Sequence, residues 1–206
     1  MSEQLRLAVT YPVMEHFYTL QGEGRYSGTA AYFIRLGGCD VGCVWCDVKE
    51  SWDADAHPQM SVEAMVNEVS AHPGNLVVIT GGEPAMYDLT PLVEELKAAG
   101  KYVAIETSGA HPLIGEVDWY TFSPKKFKEP VAEAYEKASE LKVVIYHSSD
   151  FAWAEKHARN VSEDCRLYLQ PEWSKQERLL PELIEYVKQH PKWTVSLQTH
   201  KYLQIP

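Results

Sequence analysis

The chain has 206 residues, 45% of them hydrophobic and 23% charged, the balance of a globular protein with a sizeable core. Its formal net charge of −10 excludes a general nucleic-acid binder, which carries a basic face. No apolar stretch approaches the roughly 18 residues of a membrane span, and the opening MSEQLRLAVTYP lacks a basic region followed by a long apolar core. No membrane contact is expected, and the expected location is the cytoplasm.

In chain order, short apolar runs recur at 31–36, 76–80, 102–106, 119–122, 141–146, 166–169 and 194–197. Several are nearly continuous rather than alternating, as in strands covered on both faces. Helical patterns lie between them. Ser61 is placed to cap a helix whose Val62, Met65, Val66 and Val69 share one face. Thr90 as N-cap and Pro91 at the first helical position open a second, which Gly100 closes. A third begins near Pro181, carries Leu183, Ile184 and Val187, and stops at His190-Pro191. Strands alternating with helices imply a parallel α/β sheet. The repeats are too few for a closed eight-fold barrel, so the expectation is an open or partial (β/α) barrel, with residues 1–206 as a single domain. Functional residues in such folds gather at the C-terminal ends of the strands.

Three of the four cysteines crowd into GGCDVGCVWCD as Cys39, Cys43 and Cys46, spaced C-x3-C-x2-C just after the run at 31–36. Disulfides are disfavoured in a reducing compartment, and the crowding fits metal or cluster ligation. Three thiolates hold three irons of a 4Fe-4S cluster and leave the fourth open to a small molecule, whereas a structural metal site closes its coordination sphere. The alternative is a zinc knuckle completed by a histidine, although the chain has no second pair of cysteines to build a ribbon. Gly37, Gly38 and Gly42 let this loop turn tightly enough for thiolates to converge. Cys165 stands alone and reads as a plain thiol near a strand start.

Gly81-Gly82-Glu83-Pro84 ends the run at 76–80. Its glycines admit close approach of a ligand to the main chain, and Glu83 is able to accept from an ammonium group. Ser123-Pro124-Lys125-Lys126 is the compact basic spot, large enough for one anionic group. Alone, each of these segments is also an ordinary turn.

Together, C-x3-C-x2-C and a strand ending in GGEP resemble the radical S-adenosylmethionine (SAM) superfamily. In that family the cluster reduces the bound sulfonium and releases a 5′-deoxyadenosyl radical, and the fold is a partial (β/α) barrel. Trp45 occupies the place of an aromatic near the adenine. The order of FYTLQGEG at 17–24, FIRL at 33–36, ETSG at 106–109, SPK at 123–125, LQP at 169–171 and QTHKY at 198–202 is similar to the 7-carboxy-7-deazaguanine synthase family of the queuosine pathway. The likeness runs over essentially the whole chain, and TLQGEG and QTHKYL are its most specific parts. It implies a carbon–nitrogen lyase acting on a pterin small-molecule substrate, 6-carboxy-5,6,7,8-tetrahydropterin. Hydrogen is removed from C6, the ring contracts and loses ammonia, and hydrogen returns from 5′-deoxyadenosine, so that SAM acts catalytically.

The same resemblance implies a site. Cys39, Cys43 and Cys46 would ligate the cluster. Trp45, Cys46, Asp47, Gly82, Glu83, Gly109, Ser123, Pro124, Lys125 and Gln170 would bind SAM. Leu20, Gln21, Gly22, Glu23, Arg35, Thr107, His200 and Pro206 would bind the substrate. Physically, Gln21 and the backbone of Leu20 and Gly22 suit the hydrogen-bonding pterin edge, and Glu23 suits its N–H groups. Arg35 offers a planar fork to a carboxylate. Thr107 supplies a hydroxyl, His200 a donor or acceptor, and Pro206 a carboxylate. One position departs from the pattern. The family has threonine after Cys-Asp, where its hydroxyl ligates magnesium; here Val48 offers no oxygen, and magnesium needs oxygen ligands. Magnesium either binds through substrate oxygens, water and Asp47, or its site is weakened or absent, and a smaller activation by magnesium than in threonine-bearing relatives is expected.

The resemblance also implies a homodimer and an electron donor such as flavodoxin, whose docking the loop at 49–60 is placed to influence. Asp53, Asp55 and His57 read as loop residues, Glu15-His16 as structural, and Trp153, Trp173 and Trp193 as packing or dimer contacts. Two other readings stay open. A radical SAM activase of a glycyl-radical enzyme would share the cysteine loop and the GGEP turn but would not need TLQGEG or QTHKYL. A zinc-stabilised binding module would be colourless.

Overall fold

The continuous apolar runs become strands of one nine-stranded sheet in the computed structural model, which describes residues 2–206. The strands are β1 (Thr10–Leu20), β2 (Ala30–Leu36), β3 (Gln59–Ser61), β4 (Leu76–Gly81), β5 (Tyr102–Thr107), β6 (Trp119–Phe122), β7 (Glu140–Ile145), β8 (Arg166–Pro171) and β9 (Trp193–Val195). Their order is β3-β1-β2-β4-β5-β6-β7-β8-β9. From β2 to β9 every pairing is parallel, while β1 runs antiparallel to both β2 and β3. The sheet ends at β3 and β9 without closing, which is the expected partial barrel.

Helices α1 (Glu3–Leu7), α2 (Val62–Ser70), α3 (Thr90–Ala98), α4 (Ala132–Lys137), α5 (Asp150–Ala158), α6 (Gln176–Gln189) and α7 (Thr199–Leu203) complete the fold. Side chains alternate across each strand, and the alternation sorts two faces. Tyr32, Ile34 and Leu36 of β2 join the main core with Met65 of α2, Leu92 of α3 and Leu179 of α6. Ala31 and Phe33 point the other way, into a small inner cluster with Leu76, Val78 and Ala104. Nearer the C-terminal strand ends the inner face turns polar, with Glu106, Lys142 and Gln170 lining a cavity. Among the described residues, no helix is long and apolar enough to cross a membrane.

Local signals hold with small shifts. Ser61 caps α2, accepting from the Ala64 N–H at 3.2 Å. The next helix begins at Thr90 itself rather than being capped by it: Leu89 is the cap, and Asp88 Oδ1 accepts from the Thr90 N–H at 2.9 Å. The third helix begins at Gln176, so Pro181 sits inside it and Ile184 is exposed. Pro181 removes one intrahelical backbone bond in the second turn, and the burial of Leu179 and Leu183 in the main core holds the helix through it. Absent from the sequence expectations are β1, an 11-residue strand whose bulge between Val13 and Glu15 breaks the two-residue period, and the three-residue β3. Cys165 is a free, buried thiol one residue before β8, and burial pushes it up to about 12. Trp193 is core.

Gly81 ends β4 at φ +131°, and a Cβ there would lie 2.1 Å from the Leu36 carbonyl oxygen of the neighbouring strand. Gly81→Ala should therefore destabilise the protein by about 3 kcal/mol through backbone strain and a clash that a main-chain atom cannot relieve. Gly100→Ala, with φ +77° but nothing within 4 Å, should cost only about 1 kcal/mol. Urea denaturation midpoints of the two variants check the ranking; equal losses would contradict it.

Candidate active site

The cysteine loop leaves β2 and is held by neighbours on two sides. Gly38 N–H donates to Ser51 O at 2.6 Å and Cys39 N–H to Trp52 O at 3.1 Å, while Gly38 O accepts from Glu83 N–H at 2.8 Å. The segment after the loop and the GGEP turn thus clamp it. Asp53 caps its own short turn through the Asp55 N–H at 3.0 Å, and His57 contacts Glu50 O at 2.8 Å, so both serve the clamp. All three thiols are free; Cys39 and Cys46 pack against Val41, Cys43 and Ala110, and all three cysteines line one cavity. Among the described residues, no group of His, Cys, Asp or Glu is gathered as a single metal ion requires. Three free thiols on one cavity wall suit a multi-iron cluster, whose ligands are spread over separate irons.

Glu83 lies at the centre of the GGEP turn and is buried. Its Oε1 accepts from Ala85 N–H at 3.1 Å and from the Thr107 hydroxyl; its Oε2 accepts from Ser108 N–H at 2.8 Å and from the Ser108 hydroxyl. Four donors occupy the roughly four lone-pair sites of a carboxylate. An ammonium ligand would have to displace one of the two hydroxyls, which are free to rotate. Thr107, expected at the substrate, spends its hydroxyl on Glu83 and on the Gly109 N–H at 3.0 Å.

Lys125 is fixed by Ser123, whose carbonyl and hydroxyl oxygens accept from Nζ at 2.7 and 2.6 Å. Its ammonium stands 5.7 Å from the centre of the Trp45 ring. Burial pulls it below the ordinary lysine range.

The opposite wall comes from the segment after β1 and from the tail after β9. Gln21 Nε2 donates to Glu106 Oε1 at 2.9 Å, and Gln21 Oε1 accepts from Glu23 N–H at 3.0 Å. Glu23 pairs with Lys142 through Oε2 and accepts from Gln198 Nε2 at 3.0 Å through Oε1. Lys142 Nζ also reaches Glu106 Oε2 at 3.2 Å. Burial would raise the Glu23 carboxyl, but Lys142 and Gln198 overcome this and hold it below the usual carboxylate range. Lys142 is buried, yet its carboxylate neighbours hold it above the usual lysine range. The tail is stitched down by Thr199, whose N–H and hydroxyl both donate to Gly22 O at 2.9 Å. A Cβ at Gly22 would lie 2.1 Å from His200 Nδ1, so the TLQGEG and QTHKYL segments meet only because that residue has no side chain. Burial lowers His200 below its usual value.

Arg35 and Glu15 sit opposite one another in the β1–β2 hairpin, and Arg35 Nε donates to Glu15 at 2.6 Å. A carboxylate in the cavity would meet the terminal guanidinium nitrogens. His16 contacts the Tyr32 hydroxyl at 2.6 Å, a packing role.

Of the residues singled out from sequence, the cavity wall contains Leu20, Gln21, Gly22, Glu23, Arg35, Cys39, Cys43, Trp45, Cys46, Asp47, Val48, Gly82, Glu83, Thr107, Ser123, Lys125, Gln170, His200 and Pro206. Gly109 and Pro124 lie behind it, buried. The cavity measures about 260 Å³. Glu106, Lys142, Gln198 and Trp173 also line it and were not read as site residues. Trp173 is thus a wall residue, not only packing. Lys142 carried a signal: it is a lysine inside the apolar run ELKVVI. Buried lysines are rare unless paired.

Two positions near the cysteine loop bear on magnesium. The Asp47 carboxylate pairs with Lys201 at 2.9 Å. The Val48 carbonyl accepts from Ser51 N–H at 3.1 Å and from the Ser51 hydroxyl at 2.7 Å. One Asp47 oxygen is engaged by Lys201 and Val48 adds no side-chain oxygen, so a magnesium ion here would have the Asp47 carboxylate beside it and depend otherwise on water and ligand oxygens.

Comparison with known proteins agrees with this geometry. Residues 33–147 match the radical SAM superfamily. The chain is 53% identical to the 7-carboxy-7-deazaguanine synthase of Flavobacterium psychrophilum, with 100% of both chains covered. It is 50% identical to that of Synechocystis sp., covering 97% of this chain and 95% of the relative. The crystal structure of QueE from Escherichia coli superposes with a TM-score of 0.86 at 32% identity, covering 95% of this chain and 98% of that one. A likeness of this extent leaves neither the zinc-module nor the activase reading standing. By its cysteine loop, its partial barrel and its likeness over the full length, the chain belongs to the 7-carboxy-7-deazaguanine synthase family of the radical SAM superfamily.

Proposed function

We propose that the chain is a radical SAM carbon–nitrogen lyase that converts 6-carboxy-5,6,7,8-tetrahydropterin to 7-carboxy-7-deazaguanine with loss of ammonia, a step of 7-deazapurine (queuosine) biosynthesis. The observation that carries this reading is that the three thiols and the Leu20–Glu23 wall share one cavity. Cys39, Cys43 and Cys46 would hold a 4Fe-4S cluster, which together with SAM supplies, when both are bound, the 5′-deoxyadenosyl radical.

The chain's own residues then have separable tasks. Trp45 offers a flat face to the adenine, and Gly82, where a Cβ would meet Gly38 O at 2.1 Å, lets the turn seat directly against the cysteine loop. Lys125, with Ser123 behind it, places a positive charge for the SAM carboxylate. Glu83 accepts the SAM ammonium in exchange for one hydroxyl donor. Asp47 and Gln170 complete that half. On the other half, Gln21, Glu23 and the Leu20 and Gly22 backbone take the pterin edge, Arg35 the substrate carboxylate, and His200, Thr107 and Pro206 the remaining polar rim. Phe17, Phe33 and Trp173 in the wall keep water from the reacting centre.

Residues 2–206 share one sheet and one main core, which supports a single radical SAM domain. Val44, between two ligand cysteines, is exposed, so an electron donor such as flavodoxin has access to the loop from that side. Four free cysteines agree with a reducing cytoplasm. Homodimerisation rests on the family resemblance.

Anaerobic reconstitution should give a brown protein absorbing broadly near about 400 nm, which forms the deazaguanine with carboxytetrahydropterin, SAM and reductant. Cys39→Ala, Cys43→Ala or Cys46→Ala should lose both colour and product, while Cys165→Ser keeps both. A wild-type protein that turns brown but makes no deazaguanine would sink the substrate assignment.

Magnesium should change the rate by less than about twofold, because Val48 supplies no oxygen and the Asp47 carboxylate beside it is already paired with Lys201. Val48→Thr should increase the dependence. Titrating magnesium and then chelator into both proteins decides the matter; strong activation of the wild type, abolished by chelator, would contradict this.

A further inference from the structure

Lys142 has no part in the assignments above, yet it joins the segments of the substrate wall. It lies on β7, where Leu141 and Val143 face the main core, so alternation sends Glu140, Lys142 and Val144 to the inner face. Its ammonium pairs with Glu23, from the segment after β1, and with Glu106 of β5. Each carboxylate takes one further protein donor: Glu23 from Gln198, and Glu106 from Gln21. Two acceptances out of roughly four leave each with lone pairs to spare, and both line the cavity.

Charge counting makes this arrangement informative. One ammonium between two carboxylates leaves a single net negative charge, held where water is largely excluded. A surplus of acceptors and one unit of negative charge match a ligand edge that donates several N–H bonds, such as the 2-amino-4-oxopyrimidine edge of a pterin. Without the ammonium, two carboxylates that now reach one nitrogen would repel, and the pair would retain a proton. One acceptor would then become a donor aimed at the donors of the ligand.

Resting on the proposed pterin substrate, we infer that Lys142 is a positioning and specificity-determining residue that holds Glu23 and Glu106 ionised together, so that the pair receives the N–H-rich edge of the pterin. Other charged groups facing this cluster are Glu140 on the same strand, Lys125 and His200. Glu140 is engaged by the Thr121 hydroxyl at 3.2 Å and the Arg25 N–H at 3.0 Å. His200 titrates below its usual range, and Lys125, which burial lowers, is paired with the SAM carboxylate in the reading above, so with SAM bound the window from roughly pH 7 to 9 reports on the carboxylate pair.

The test is anaerobic calorimetry of 6-carboxy-5,6,7,8-tetrahydropterin binding to reconstituted protein with SAM and no reductant, so that no turnover occurs. Wild type should bind with an affinity flat across the window. Lys142→Met should bind about tenfold more weakly at pH 7 and regain affinity as the shared proton leaves at higher pH. The double variant Lys142→Met/Glu106→Gln fixes a single negative charge with no ammonium and no carboxylate pair to share a proton, and its profile should again be flat. A folded Lys142→Met that binds like wild type at every pH would overturn the inference. If Lys142→Met fails to fold by circular dichroism, the double variant carries the test: flat binding within about tenfold of wild type supports the charge assignment, and abolished or pH-dependent binding overturns it. Absence of binding by the wild type itself would instead reject the pterin reading.

Discussion

Where β4 ends, one buried carboxylate keeps three pieces of chain in register. Glu83 accepts from Ala85, Thr107 and Ser108, which binds the GGEP turn to the end of β5. Its own N–H holds Gly38 O, and Gly82 N–H holds Leu36 O, which binds the same turn to the cysteine loop. An isolated charge in such a place would be very costly; four donors make it tenable and rigid. The loop that carries Cys39, Cys43 and Cys46 therefore rests on a fixed floor, even though little of the loop itself is regular structure. Gly81 and Gly82 are what let the floor come so close, since a Cβ at either would lie 2.1 Å from a backbone oxygen.

From that floor the cavity divides by charge. The cluster half has a half-buried ammonium, Lys125, fixed by Ser123. The opposite half has the Lys142, Glu23 and Glu106 network, with one negative charge in excess. The acceptors of the second half suit an N–H-rich ligand edge at short range, while Arg35 in the same wall offers a fork for a carboxylate. The tail after β9 completes the second half, because Thr199 and Gln198 attach it to Gly22 and Glu23. It bridges the segment following the antiparallel strand β1 and the far end of the open sheet, so an unclosed barrel still encloses a site.

Much of this was readable before any folding. Cys39, Cys43 and Cys46 lie within eight residues, so their convergence is a local property of a glycine-rich loop. Ser61 caps α2 by a contact three residues away, and runs such as Leu76–Gly81 are strands because continuous apolar residues need cover on both faces. The resemblance of TLQGEG and QTHKYL to a family pattern pointed to residues that do line the cavity. Val48 stood out in the same way, by failing to supply an oxygen.

What could not be read locally was everything that hangs on which strands lie side by side. Lys142, Glu23 and Glu106 are 36 to 119 residues apart in sequence, and no period or composition announces that they share one ammonium's reach. Sheet register brings them together, and burial then fixes their charges. The length of β1 was hidden by a bulge, and the start of α6 by a proline it tolerates, because in both cases packing against the sheet outweighs the local preference. Gly109 and Pro124 lie just past the ends of β5 and β6, buried beside wall residues rather than among them. Short-range chemistry thus named the reaction centre, and long-range packing settled how charge is arranged around it.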